Sequence, residues 1–459
     1  MSGNKRDDSI ELEELLGAEN HSNESVSPEN NELVEYKGEN INLYPLNYQK
    51  EPIVKWQMAA CLTLFLVLGL NDECNGALVP ALTTYYEVTK VQVANLFVIQ
   101  FMGYGIASLL TQKIHTLVGA RGAMMTAAGL CMVCYTILLL RPPWFIMYVS
   151  CFLPLGLAIG ILDSVCNVLF GNLEVHKNEW MGVLHGLYGA AAMVTAPIVS
   201  YFVKYSHWNF FFLLPLTCAF LGLLLVPYAF KFETANKYNY LCEMGREEGE
   251  DTHPSFLSLV RRPAIFMYAL YMFVYLGSEV STGAWIFTYL LDVKKGNVIP
   301  MSYVTAAFWM GLTVGRMVLG FVTKRCFKNE YRASAFYAGM CWMSYTVFLL
   351  ITYLPGSSTL YFIAVGAAIF TGGVFMGPLF PNASVVALQV LPKNMHVSGV
   401  GIAVALGGCG SAILPYSVGI ITHLAGFVCF PFLCWVMVGT VYFVWFLYPR
   451  VIKGQMELF

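Results

Sequence analysis

Twelve apolar runs, each of bilayer-crossing length, fill the chain from residue 57 to residue 448. They cover 57–82, 92–112, 122–140, 144–169, 181–203, 208–230, 263–290, 300–322, 331–353, 358–380, 397–421 and 425–448. About 20 apolar residues at 1.5 Å each cross the hydrocarbon core. Inside lipid the backbone must satisfy its own hydrogen bonds, so runs this long can only be helices. The composition agrees, at 57% hydrophobic and 12% charged, against about 25% charged in soluble domains. The predicted fold class is an all-α membrane protein with twelve transmembrane helices, numbered here as spans 1 to 12.

A polar stretch, 231–262, containing EMGREEGED, separates spans 6 and 7. The predicted units are a disordered tail (1–55), a six-helix bundle (56–230), a central loop (231–262), a second six-helix bundle (263–450) and a short C-terminal tail (451–459). An even number of spans returns both ends to one side. With those ends inside, 20 Lys and Arg fall inside and five outside (Lys90, Arg141, Lys204, Lys294, Lys295), with Arg316 within a span. The short loops QKIHTLVGAR and TKRCFKNEYR follow the same bias, so both termini are expected in the cytosol. The N-terminal tail is rich in Asn, Glu and Ser and lacks the charged–apolar–cleavage pattern of a signal peptide. Within it ELEELL, Glu11–Leu16, fits the acidic dileucine form that cytosolic sorting adaptors read, which makes a vacuolar or endosomal membrane an alternative to the plasma membrane.

Several function classes drop out. The chain shows no metal-spacing cluster, phosphate loop or nucleophile–base pair, so neither an enzyme nor a cofactor is expected. Nor does any basic stripe suggest nucleic acid. Eleven of the 13 cysteines sit in apolar runs and the other two, Cys242 and Cys326, in loops placed in the cytosol, so no disulfide framework is implied.

The two halves carry related residues. Phe101-Met102-Gly103 of span 2 matches Trp309-Met310-Gly311 of span 8 at an offset of 208, and Asp72 pairs with Glu279 at 207. Gly189 and Pro197 of span 5 match Gly407 and Pro415 of span 11 at 218. A six-plus-six parallel repeat with a cytosolic linker resembles the major facilitator superfamily, whose site lies at the midplane between halves.

Charge inside the spans then marks the site. Asp163 is the single charge in 144–170, and a charged side chain mid-membrane costs about 2.5–3.5 kcal/mol on insertion scales. It is either a buried hydrogen-bonding strut or a functional group facing a cavity. Gly156, Gly160, Asp163 and Asn167 share one helix face, small and then polar, as expected beside a cavity. Asp72 with Glu73 in span 1, Glu279 in span 7 and Arg316 in span 8 are the other charges, and His185 could carry a proton near neutral pH. Burial disfavours the charged form of a carboxyl, which suits a group that loads and unloads protons. Asn71, Asn75, Asn167 and Asn382 add amides. Trp285, two turns beyond Glu279, is either a packing aromatic or a platform for the apolar face of a sugar. Gly311 and Gly315 would let span 8 approach a neighbour closely, and Arg316 could pair across a gate.

Over roughly residues 56–450 these motifs resemble the fucose permease-like (fucose–galactose–glucose:proton symporter) branch of the major facilitators, and within it fungal bypass-of-stop-codon transporter-like members. The likeness is carried by GLAIGILDSVCN in span 4, YLGSEVSTGAW in span 7 and GGCGSAILP in span 11. It implies the major facilitator fold, in two six-helix bundles, and proton-coupled symport of a sugar or similar small polar solute by alternating access. The permease's span 4 acid, followed four residues later by Asn, falls on Asp163 and Asn167. Its span 1 acid falls on Gly76 when Leu78-Val79-Pro80 is the anchor, with Asp72 one turn earlier. Glu279 fits the span 7 pattern of the wider family. The implied proton-coupling set is Asp163, Glu279 and Asp72, and the solute set Asn75, Asn167, His185, Trp285 and Asn382. Rival readings are a uniporter or exporter of a carboxylate or drug, and a transporter-shaped sensor signalling through its tail.

Overall fold

Twelve helices long and apolar enough to cross a membrane are present in the computed structural model, which describes residues 31–247, 262–390 and 396–451. They are span 1 Pro52–Ala77, span 2 Lys90–Thr111, span 3 Lys113–Leu139, span 4 Phe145–Gly171, span 5 Trp180–Tyr205 and span 6 Trp208–Ala229. The second half has span 7 Pro263–Asp292, span 8 Val298–Gly320, span 9 Glu330–Tyr353, span 10 Thr359–Ala387, span 11 Leu406–Ala425 and span 12 Phe427–Val451. The acidic dileucine at Glu11–Leu16 lies outside the described residues.

Local chemistry sets the helix starts. Pro52 and Pro263 open spans 1 and 7, where a missing N–H costs nothing. Thr89 and Gln92 form a reciprocal capping box at span 2, and Ser358 caps span 10. The expected loop between spans 2 and 3 is itself helical: Lys90–Leu139 is broken only at Gly119, whose φ of 67° lies in the region glycine tolerates.

Packing repeats between the halves. Span 1 packs on spans 5 and 6 as span 7 packs on 11 and 12, and span 2 packs on span 4 as span 8 packs on 10. The halves meet where span 5 crosses span 8, span 11 crosses span 2, and span 1 touches span 7. The fold is the expected pair of six-helix bundles. Small residues make the close crossings: a Cβ on Gly156 of span 4 would lie 1.9 Å from the Gln100 carbonyl of span 2, and one on Gly311 of span 8 would lie 2.1 Å from the Phe370 carbonyl of span 10. Gly315 meets the Val374 carbonyl the same way.

From residue 31 on, the tail is ordered where disorder was expected; residues 1–30 lie outside the described residues. Strands β1, Glu32–Tyr36, and β2, Glu39–Leu43, pair antiparallel around Lys37 and Gly38, both at positive φ as a tight hairpin turn requires. Ile41, Leu43 and Tyr44 are buried, and a helix in the central loop, Ala235–Glu247, receives the hairpin. Tyr36 Oη donates to Glu243 at 2.6 Å and Asn236 donates to Glu39 at 2.8 Å. Tyr44 Oη donates to Glu233 at 2.5 Å and accepts from Gln57 at 2.8 Å. Burial, with the Glu233 carboxylate beside it, holds the Tyr44 phenol above its ordinary range. Asn47 reaches Glu174 at 3.2 Å, tying the tail to the loop between spans 4 and 5. A hairpin this short has too few alternations to register as periodic in sequence; its stability comes from the partner helix 200 residues away. We call this end of the bundle the tail face and the opposite end the far face.

Candidate functional site

Two acids in the first half are held by neutral donors from neighbouring spans. Asp163 Oδ2 accepts from Tyr104 Oη of span 2 at 2.6 Å, and Oδ1 accepts from Asn167 Nδ2 at 2.8 Å. The Asn167 side-chain oxygen meets His185 Nε2 of span 5 at 3.2 Å. Asp72 Oδ1 accepts from Gln100 Nε2 of span 2 at 2.8 Å, and Oδ2 accepts from Tyr188 Oη of span 5 at 3.0 Å. Gln100 Oε1 accepts in turn from Asn71 and Asn75, both at 2.9 Å, and Tyr135 of span 3 donates to Asn71 at 3.1 Å. Gln100 and Tyr104 lie one turn apart on span 2, so one helix face presents a donor to each acid.

Exposure separates this set. Asp72, Gln100, Tyr104, Asp163, Asn167, His185 and Tyr188 are all half-buried. Polar groups left partly open at membrane depth must face water within the protein, because lipid would strand them. Asn71 and Asn75 are fully buried beside Asp72, so Asn75 supports Gln100 and presents no open polar group of its own.

The second half is built differently. Both Glu279 oxygens accept from Arg316 Nη2 at 3.0 Å, and the same nitrogen lies 3.5 Å from Tyr275 Oη. Glu279 is 4% exposed. Arg316 therefore pairs inside its own half, between spans 7 and 8, and not across a gate as the sequence suggested; its nearest carboxylate is one helix away. Glu279, expected among the proton-coupling acids, has a fixed cation.

Three expectations about shape change as well. The Gly156–Gly160 face of span 4 packs against span 2: a Cβ on Gly160 would lie 2.7 Å from Ala107 Cβ. Helix crossing, not a cavity, explains those glycines. Trp285 is fully buried, donates from Nε1 to the Pro415 carbonyl at 2.9 Å and lies against Phe97 and Phe427, so it seals the halves and presents no open ring face. Asn382, 7% exposed, stands with its Nδ2 unpartnered among the described residues and so donates to neither acid. Sequence reasoning missed Gln100, Tyr104 and Tyr188. Two polar residues at i, i+4 within apolar VIQFMGYG were the available sign for the first two.

Above the acids the two halves touch toward the far face. Lys90, opening span 2, pairs with Asp292, closing span 7. A Cβ on Gly76 of span 1 would lie 2.4 Å from Ala284 Cα of span 7.

The sequence pattern described as Major Facilitator Superfamily matches residues 61–415. The chain belongs to the major facilitator superfamily. This major facilitator is 50% identical over 472 aligned residues to Bypass of stop codon protein 6 of Saccharomyces cerevisiae, covering 98% of this chain and 95% of the relative. It is 22% identical over 363 residues to the Glucose/mannose transporter GlcP of Bacillus subtilis, covering 77% of this chain and 85% of the relative. Among solved structures, a D-xylose-proton symporter superposes with a TM-score of 0.67 at 13% identity, over 88% of this chain and 99% of that one. A peptide transporter superposes at 0.63 with 14% identity, over 86% of this chain and 94% of that one. At those identities the two structures speak for the fold. The protein is thus an integral multi-pass membrane transporter, and an enzymatic role is set aside by its family.

Proposed function

We propose that this major facilitator is a proton-coupled symporter of a sugar or similar small polar solute, working by alternating access. The observation that carries the reading is the state of Asp163 and Asp72. Both are half-buried at membrane depth, both are held by neutral donors, and neither has a cation partner among the described residues. A carboxyl without a counter-ion can take up and release a proton; one clamped to a guanidinium cannot do so cheaply. Glu279 with Arg316 is then a strut of the second bundle.

Asp163 is the proton-coupling residue and Asp72 its companion. Gln100, Tyr104, Asn167, His185 and Tyr188 supply hydroxyl, amide and imidazole groups of the kind a polyhydroxylated solute needs. The names of the relatives, a glucose/mannose transporter and a D-xylose-proton symporter, support a sugar and a proton. The bundles 56–230 and 263–450 rock about the site, and the tail face is cytosolic by the Lys and Arg bias.

The test uses purified protein in liposomes. A thermal-shift panel of solutes finds the ligand, since a ligand of the folded state raises the midpoint. Asp163→Asn mimics the protonated acid at nearly constant volume. It should exchange solute in counterflow yet fail to accumulate solute against a gradient, because return of the empty carrier needs the proton released. Undiminished proton-driven accumulation in Asp163→Asn would move the role to Asp72. Wild-type protein that binds but shows no counterflow would point to a sensor.

A further inference from the structure

Glu73 is a buried acid that the reading above leaves unused. It follows Asp72 on span 1 and is 1% exposed. Its Oε2 accepts from Trp309 Nε1 of span 8 at 2.6 Å, while its Oε1 is buried with no partner among the described residues. The bond joins the first half to the second. It sits one turn below the contact of Gly76 with Ala284, beyond which Lys90 pairs with Asp292. Gly283 of span 7 makes the room: a Cβ there would lie 2.6 Å from the Trp309 indole Cζ2 and 3.1 Å from Glu73 Oε2. The indole also meets the Tyr188 ring edge-on at 6.3 Å, and Tyr188 holds Asp72. The latch pair and the acid site are therefore adjoining parts of one polar cluster that crosses the interface.

The neighbouring groups offer Glu73 no compensation. On its own span, Asp72 is held by Gln100 and Tyr188, and the Cys74 thiol donates to the Asn71 carbonyl. On span 7 Glu279 stands one turn before Gly283, clamped by Arg316 of span 8. On span 5 His185 is turned to Asn167. An ionised carboxylate buried with one indole N–H and one empty oxygen would carry an uncompensated charge, which the low-dielectric interior disfavours. The neutral acid keeps the indole bond and loses that penalty. If the halves part at the far face, the same carboxyl meets water and can ionise.

We propose that Glu73 and Trp309 form a latch between the halves that closes the far face only while Glu73 carries a proton; the idea rests on the symport reading above. It places a second protonation event at the gate itself, separate from Asp163. The emptied carrier can then reopen outward only where Glu73 can lose its proton.

Hydrogen–deuterium exchange at the far ends of spans 2 and 7, compared between variants at matched pH, reads the latch without solute or gradient. Failure here is thus distinguishable from failure of the symport reading, which liposome uptake tests. In wild-type protein, raising the pH should increase exchange at both segments beyond the intrinsic rate change, by about tenfold per pH unit, as one proton linked to opening requires. Glu73→Gln keeps an acceptor for Trp309 and cannot ionise, so it should stay protected at every pH. Trp309→Phe removes the donor, and Gly283→Ala drives a methyl against the pair while leaving both side chains chemically intact; both should exchange fast even at low pH. A Glu73→Gln protein with the wild-type pH response would overturn the proposal. So would wild-type protection in both Trp309→Phe and Gly283→Ala, each checked for a monodisperse folded peak.

Discussion

Arg316→Met gives the sharpest energetic test of the second bundle. Both Glu279 oxygens lie 3.0 Å from Arg316 Nη2, the acid side chain 5% exposed and the Arg316 side chain 19%. Unit charges about 4 Å apart attract by about 4 kcal/mol at an effective dielectric of 20. That attraction is partly offset by desolvating both groups, so the pair's net worth is small. Removing one member is different, because it strands the other charge: about 3–5 kcal/mol for a buried pair. Residual water access at Arg316 favours the lower end, about 3 kcal/mol by the same reasoning. Neutralising both, Arg316→Met with Glu279→Gln, should recover most of the loss and return within about 1 kcal/mol of wild type. Denaturant unfolding in detergent micelles, followed by tryptophan fluorescence, gives the four corners of the cycle. The reasoning fails if Arg316→Met is as stable as wild type, or if the double variant loses the sum of the two singles. Counterflow by the double variant should persist, since a strut carries no proton.

Four further outcomes are expected. Gly156→Ala, whose Cβ would fall 1.9 Å from the Gln100 carbonyl, should destabilise by at least the 1–3 kcal/mol typical of overpacking (about that scale). Gly129→Ala, with open space around it, should stabilise by about 0.4–1 kcal/mol; unfolding curves of the two variants compare them. Tyr44→Phe removes hydrogen bonds to Glu233 and Gln57, at a loss of about 1–3 kcal/mol in tail docking, visible as faster amide exchange in β1 and β2 with the spans unaffected. Epitope tags in the linker 231–262 and at the C-terminus should resist external protease in intact cells, and cleavage of either would reverse the proposed orientation.

The span pattern was legible because twenty-residue apolar runs admit one structure in lipid, and all twelve helices overlap the runs that hydropathy placed, with ends that differ by up to nine residues. Asp163 with Asn167 was legible too, because their bond lies within one helix at i, i+4. Contacts between helices were not. Nothing in the spacing of Tyr104, Gln100 or Tyr188 says which acid each will meet, and the partner of Arg316 depended on how spans 7 and 8 pack. Small residues were read for their size but not for their cause: Gly156 and Gly160 admit span 2, whereas the same pattern could have bordered a cavity. Trp285 shows the converse, an aromatic beside an acid in sequence that closure of the halves buries. The hairpin at Glu32–Leu43 was hidden because its stabilising surface lies on the linker helix.

The central claim is that solute and proton move together through the Asp163–Asp72 cluster. Its most direct measurement is proton movement itself: liposomes loaded with a pH-sensitive dye, voltage clamped by an ionophore, and no pH gradient imposed. Adding the solute found by the thermal-shift panel should acidify the lumen of wild-type vesicles in step with solute entry. Asp163→Asn vesicles should exchange the same solute with no acidification. Solute entry into wild-type vesicles without any proton entering would contradict the account.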